Sequence, residues 1–144
     1  MHGIKFRVWH NTIKKYIDSK YVSIDGFGLL HVAKHIVKNF FRPPHTRKNP
    51  WFIVEQFTGL KDKNGTEIYE GDIIQFEFWN EKYYRQIAYN SAIASYEAIT
   101  VASPTSKKLR QKAKYSFSEL YKISSKGFKV VGNIHENPEL VEEK

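Results

Sequence analysis

Few residues in this chain have the types and spacing that chemistry uses. Glu70 and Asp72 stand two apart, so on a strand both carboxylates would share a face, as a general acid and base must. No partner nucleophile accompanies them, and the simpler reading is a turn entering a strand, the carboxylates accepting backbone N–H bonds. His31 and His35 stand four apart, a spacing that chelates a metal when both lie on one helix. No third ligand is marked, and the pair reads as the solvent edge of an apolar stripe. Gly26-Phe27-Gly28 is a fragment of a glycine-rich loop, better read as a capping turn, and no P-loop or Gly-x-Ser-x-Gly elbow is present. The expectation is therefore a protein that is not an enzyme, with no catalytic residue, no cofactor, no metal and no small-molecule substrate.

The charged residues are more informative. Lys107, Lys108, Arg110, Lys112 and Lys114 place five cations within eight residues, followed by the stacking rings of Tyr115 and Phe117. Arg42, Arg47 and Lys48 form a second basic group among three prolines. Cations with interleaved aromatic rings are the means by which small β-barrels hold nucleic-acid backbones. The other reading is a solvated loop. The chain as a whole is +8 at pH 7, and the charge is segregated: residues 1–50 carry +8, 51–106 carry −4 and 107–144 carry +4. Such segregation can build a one-signed face for a polyanion.

Aromatic residues make up 15% of the chain, more than one small core must use. Trp9, Trp79, Tyr83 and Tyr84 include positions on the polar faces of strands, where aromatic rings anchor interfaces. They are the candidate interface residues. Self-association, or binding of another protein, is the leading functional expectation, and nucleic-acid binding on the basic surface is the alternative.

These residues need a scaffold. At 144 residues the chain can bury a core without staples, and its lack of cysteine excludes disulfides and thiolate chemistry. No run of about 18 apolar residues offers a membrane span, and the first residues lack the apolar stretch of a signal peptide. A soluble, cytoplasmic protein with no membrane partner is expected. Ile4 to Trp9 alternates with the period of a half-buried strand, as does Ile73 to Trp79. Trp51 to Phe57 reads as a buried strand, Tyr83 to Ala102 as two strands broken near Asn90-Ser91, and Phe128 to Ile134 as the closing strand. Asn64-Gly65 supplies the positive φ angles of a hairpin turn. Leu29 to Phe41 places apolar residues at spacings of three and four, which predicts the principal helix, ended by Pro43-Pro44. Tyr115 to Tyr121 fits either a short strand or a helical turn. The fold class expected is α+β, mainly β.

Three blocks resemble the YopX-like family of phage and prophage proteins. They are Phe6-Arg7-Val8-Trp9, the long block Gln56 to Ile73 with Gly59, Asp62, Gly65 and Glu70-Gly71-Asp72, and Val131-Gly132-Asn133-Ile134-His135-Glu136-Asn137-Pro138-Glu139-Leu140. The resemblance implies an N-terminal α+β portion over 1–57 and an SH3-like β-barrel over 58–144, with a basic loop near 103–114 and a charged tail. It also implies an oligomer and assigns no reaction. Even without the family, glycines at turns and asparagines flanking Pro138 read as fold specification rather than chemistry.

Overall fold

The computed structural model describes residues 4–27, 30–33, 51–78, 80–100, 114–123 and 126–140. The protein is mainly β, with curled antiparallel sheets and one short α-helix among the described residues. It divides into two compact units that meet in sequence between Gln56 and Phe57.

In the N-terminal unit, β1 (Phe6–His10) lies between β2 (Lys15–Ile17) and the first half of β5 (Phe52–Lys61). The register sets Val8 opposite both Ile17 and Val54, and Arg7 opposite Glu55. Val8, Ile17 and Phe52 form the buried core, with Phe6, Val22, Leu30 and Val32 packed on it. Glu55 is buried and is neutralised where it sits: Arg7 Nε donates to Glu55 Oε2 at 2.7 Å and the Tyr16 hydroxyl to the same oxygen at 2.9 Å. A buried carboxylate needs such partners, because an isolated one in an apolar site is strongly disfavoured.

The helix expected over 29–41 does not begin there. Leu30–Val32 is a strand, β4, paired antiparallel with β3 (Val22–Ile24). The Asp25 carboxylate accepts the Phe27 N–H at 2.9 Å and the His31 ring at 2.8 Å, which closes the connecting turn and pins the hairpin. With the backbone extended, Leu30 and Val32 point to one face by period two, and the helical spacing is irrelevant for them. Residues 34–41 lie outside the described residues.

The C-terminal unit is a five-stranded antiparallel sheet in the order β10-β9-β8-β7-β11. Its strands are β7 (Asp72–Phe78), β8 (Glu81–Asn90), β9 (Ser95–Thr100), β10 (Lys114–Ser116) and β11 (Phe128–Asn133). The break between β8 and β9 falls where Asn90-Ser91 predicts it. β6 (Glu67–Tyr69) pairs with the second half of β5. The core is Ile68, Ile74, Phe76, Tyr83, Ile87, Ala98, Leu120 and Phe128: alternate residues of β7 and β8, one each from β6, β9 and β11, and Leu120 of the covering helix. That helix, α1 (Phe117–Ile123), starts in a reciprocal cap. The Glu119 N–H donates to Ser116 Oγ at 3.3 Å and the Ser116 N–H to Glu119 Oε2 at 2.7 Å. This is the Ser-x-x-Glu box, and it commits Tyr115 to Tyr121 to a strand end followed by a helix.

The turns of the long block from Gln56 to Ile73 hold the sheet's ends. Asp62 Oδ1 accepts the N–H groups of Asn64 (2.8 Å) and Thr66 (2.9 Å), and its Oδ2 accepts that of Val130 (2.8 Å). Gly65 alone of the Asn-Gly pair is left-handed, at φ +84°, because Asp62 and Thr66 close a three-residue loop rather than a two-residue one. Among the described residues no helix is long and apolar enough to cross a membrane.

Candidate functional site: a lysine-lined cleft

Sheet register brings together cations that the sequence scatters over 67 positions. On one face of the C-terminal sheet, Tyr84 of β8, Gln75 of β7 and Lys129 of β11 stand in one cross-strand row. Lys82 stands opposite Glu77 in the neighbouring pair. Lys126, in the turn before β11, reaches Glu77 Oε2 at 3.3 Å. Lys63 is brought in from the β5–β6 loop, where its N–H donates to the Phe128 carbonyl at 3.1 Å and its Cβ packs over Gly127. Lys63, Gln75, Glu77, Lys82, Lys126 and Lys129 line a cleft of about 110 Å³. Four ammonium groups thus face one carboxylate.

The cleft has a polar floor. Gln75 is 9% exposed and lines the cleft between Lys129 and Tyr84, its cross-strand neighbours. Lys63, Lys82 and Lys129 make no ion pair among the described residues; the Lys126–Glu77 pair is solvent-exposed. An exposed pair of that kind contributes little stability and yields readily to a competitor. The arrangement can bind an anion.

The residues singled out by sequence fall in three places. Tyr84 is half-buried on the cleft face of β8. Trp9 and Tyr83 are not displayed on polar faces: they are 1% and 7% exposed. Trp9 meets its cross-strand neighbour Tyr16 edge-on at 5.0 Å, and since Val8 beside it is buried as well, β1 buries side chains on both faces. Tyr83 stands opposite Phe76 on the core face and stacks on it at 5.5 Å. Lys114 belongs to β10. Trp79, Arg42, Arg47, Lys48, Lys107, Lys108, Arg110 and Lys112 lie outside the described residues.

The other sequence candidates have structural partners. Asp72 is buried and its Oδ2 accepts the Tyr69 N–H at 2.8 Å, the turn role rather than half of an acid–base pair. His31 sits on strand β4 beside Asp25, so the helical spacing to His35 does not apply to it; His35 lies outside the described residues. Among the described residues no three His, Asp or Glu side chains are grouped to hold a metal.

A mainly β protein in two units, with a cationic cleft on the second, is the class that fold and site define. The family profile described as YopX protein matches residues 5–142, and the chain belongs to the YopX family. The crystal structure of protein EF1440 from Enterococcus faecalis is similar in fold, with a TM-score of 0.52 at 24% identity, covering 96% of this chain and 98% of that one. No curated protein matches.

Proposed function

We propose that the chain is a non-enzymatic accessory protein of phage or prophage type, working in the cytoplasm of a bacterial host as a binding module whose partner is nucleic acid. The observation that carries this reading is the convergence of Lys63, Lys82, Lys126 and Lys129 on one cleft, with Tyr84 in the cross-strand row of Lys129. Cations spaced over a face and a half-buried ring beside them suit a phosphate backbone and its bases. The sequence adds to it: segments 34–50 and 101–113 hold nine Lys/Arg and no Asp/Glu. The C-terminal unit is read as an SH3-like barrel. In support, β7 to β10 form a meander and β11 returns to the free edge of β7, a connectivity from which small barrels close.

A direct test is fluorescence anisotropy of labelled single-stranded and duplex DNA at about 50 and 200 mM salt. Each phosphate contact contributes about −0.9 to the log–log slope on duplex and about −0.7 on single strands. Binding that falls steeply with salt supports the reading; no binding to either form at low salt overturns it.

A second reading, an oligomerising protein-interaction module, is favoured by apolar side chains left in water on the N-terminal unit. Ile4 and Phe27 are 86% and 88% exposed. Light scattering at low and high salt, with and without DNA, separates the two. Salt-insensitive oligomers without DNA binding favour self-association or a host or phage protein partner.

A further inference from the structure

We propose that the lysine-lined cleft is a seat for a single phosphate group, in nucleic acid one backbone phosphodiester, with Gln75 as its neutral donor and Glu77 as an internal competitor for its cations. This rests on the nucleic-acid reading above for the source of the phosphate, and on the cleft alone for the chemistry.

Three features make the cleft a seat rather than a charged surface. The first is Gln75. Gln75 lines the cleft, and its Nε2 is a neutral N–H donor that a ligand oxygen there can accept from. The second is the balance of charge. Lys63, Lys82 and Lys129 carry three positive charges without ion-pair partners among the described residues, and a phosphate dissipates them through charge-assisted hydrogen bonds. The third is Glu77, whose carboxylate bonds Lys126 at 3.3 Å at the side of the same cleft. Among the described residues it is the only acid lining the cleft, and it occupies one cation that an incoming anion would use. A phosphodiester carries one negative charge and two free oxygens. One oxygen meets the Gln75 amide and the other meets Lys129, its neighbour in the cross-strand row. Lys82 and Lys63 then lie on the two sides, and Lys126 exchanges Glu77 for the ligand. Nothing is transferred or cleaved; the site binds.

The charge arithmetic makes a prediction that a plain basic patch does not. Glu77 repels the ligand and competes for Lys126, so Glu77→Gln should tighten binding several-fold while barely changing stability, because the pair it breaks is exposed. Gln75→Leu should weaken binding without changing the net charge. Lys82→Ala and Lys129→Ala should weaken it by about tenfold each, the value of a charge-assisted bond at a partly covered site.

The experiment is a side-chain amide NMR titration of the whole chain with three probes: inorganic pyrophosphate, an oligothymidylate and an oligoglutamate peptide. Anisotropy on the oligothymidylate runs in parallel for the wild type, Glu77→Gln and Gln75→Leu, each first shown to melt within a few degrees of the wild type. The expected result is a shift of the Gln75 amide with pyrophosphate and with oligothymidylate, none of comparable size with oligoglutamate, and tighter binding by Glu77→Gln. If oligothymidylate binds while the Gln75 amide stays in place and both variants bind as the wild type does, the seat is overturned and the nucleic-acid reading survives. If pyrophosphate shifts Gln75 and oligothymidylate does not bind at all, the seat stands for a free phosphate and the nucleic-acid reading falls. An equal response to oligoglutamate overturns phosphate as the ligand in favour of carboxylates at large. No response of Gln75 to any probe overturns the proposal.

Discussion

The carboxylate of Asp62 accepts the backbone N–H of Val130 at 2.8 Å, joining residues 68 positions apart. Its other oxygen serves Asn64 and Thr66, so one side chain closes the β5–β6 loop and fastens it to β11. Burial alone would raise the Asp62 carboxyl, but the N–H bonds from Val130, Thr66 and Asn64 outweigh it and hold it below its ordinary value. A carboxylate depressed in the folded state contributes stability above its unfolded value, and that contribution is lost as the pH falls through the folded one. The melting temperature should therefore fall on acidification below the usual aspartate range. Asp62→Ala should cost about 3 kcal/mol at neutral pH, since it orphans N–H groups held by a charged acceptor. Urea denaturation of the two proteins at neutral and acid pH checks both statements: the gap between them should narrow in acid.

Two glycines should fail for different reasons. Gly65 has open space around it, but φ +84° is unfavourable for any side chain, and a β-branched one most of all. Gly65→Val should cost about 1 kcal/mol or more. At Gly132 the backbone is ordinary, yet a Cβ would collide with the Asn137 side chain, whose Oδ1 accepts the Asn133 N–H at 3.3 Å. Gly132→Ala should cost about 1–3 kcal/mol by overpacking, and Gly132→Ala combined with Asn137→Ala should cost less than the two separately. Melting curves of the four variants decide it, and strict additivity would show that the two positions do not meet.

Much of this scaffold was legible in the sequence. Alternation placed β1 and β7, and Asn90-Ser91 marked the break between β8 and β9. The Ser116-Phe117-Ser118-Glu119 box before the buried Leu120 was a helix start in plain view, masked by the β-forming aromatics around it. At Leu30–Val32, the described part of the stripe from Leu29, the chain is a strand instead: the Asp25 turn closes a hairpin there, and a local turn outweighs a helical spacing that so short a stretch specifies weakly. Alternation also put Trp9 and Tyr83 on faces that depend on what covers a strand, which period alone does not record. The cleft was illegible for a different reason. Lys63, Lys82, Lys126 and Lys129 form no run in sequence; the sheet register and one loop bond bring them together, whereas Lys107 to Lys114 advertises itself by density.

Arg85 poses a separate test. It is 2% exposed, and burial pushes its guanidinium down from the ordinary arginine value. The group lies 5.5 Å from the ring centre of Tyr115, 5.6 Å from Phe76 and 5.8 Å from Tyr83, while Nη1 donates to the Tyr84 carbonyl at 2.7 Å. Its Nε has no partner among the described residues. A cation so placed regains from the rings only part of what it loses on leaving water. Arg85→Met, similar in length and without the charge, should fold with stability within about 1 kcal/mol of the wild type or above it. Arg85→Ala should lose about 3 kcal/mol through the cavity it leaves. Equal losses in both variants would show that the charge, not the volume, holds the core together.

The two basic features can be separated by their salt dependence. If nucleic acid runs over both, the lysine cleft and the run from Lys107 to Arg110 each release counterions, and each lost contact should flatten the log–log slope on duplex DNA by about 0.9. Replacing Lys107, Lys108 and Arg110 by Ala should lower affinity uniformly across sequences, as removal of phosphate contacts does. Replacing Lys63, Lys82 and Lys129 should do the same through the cleft. The variants differ at Gln75: with the cleft lysines gone, the Gln75 amide should cease to respond to oligothymidylate, whereas the triple change in the run should leave that response in place at higher protein concentration. Anisotropy over a salt series, read with the Gln75 amide, gives both quantities on the same samples. A slope unchanged by the cleft substitutions and flattened by those in the run would assign the contacts to the run, and the cleft would then have no part in holding the strand.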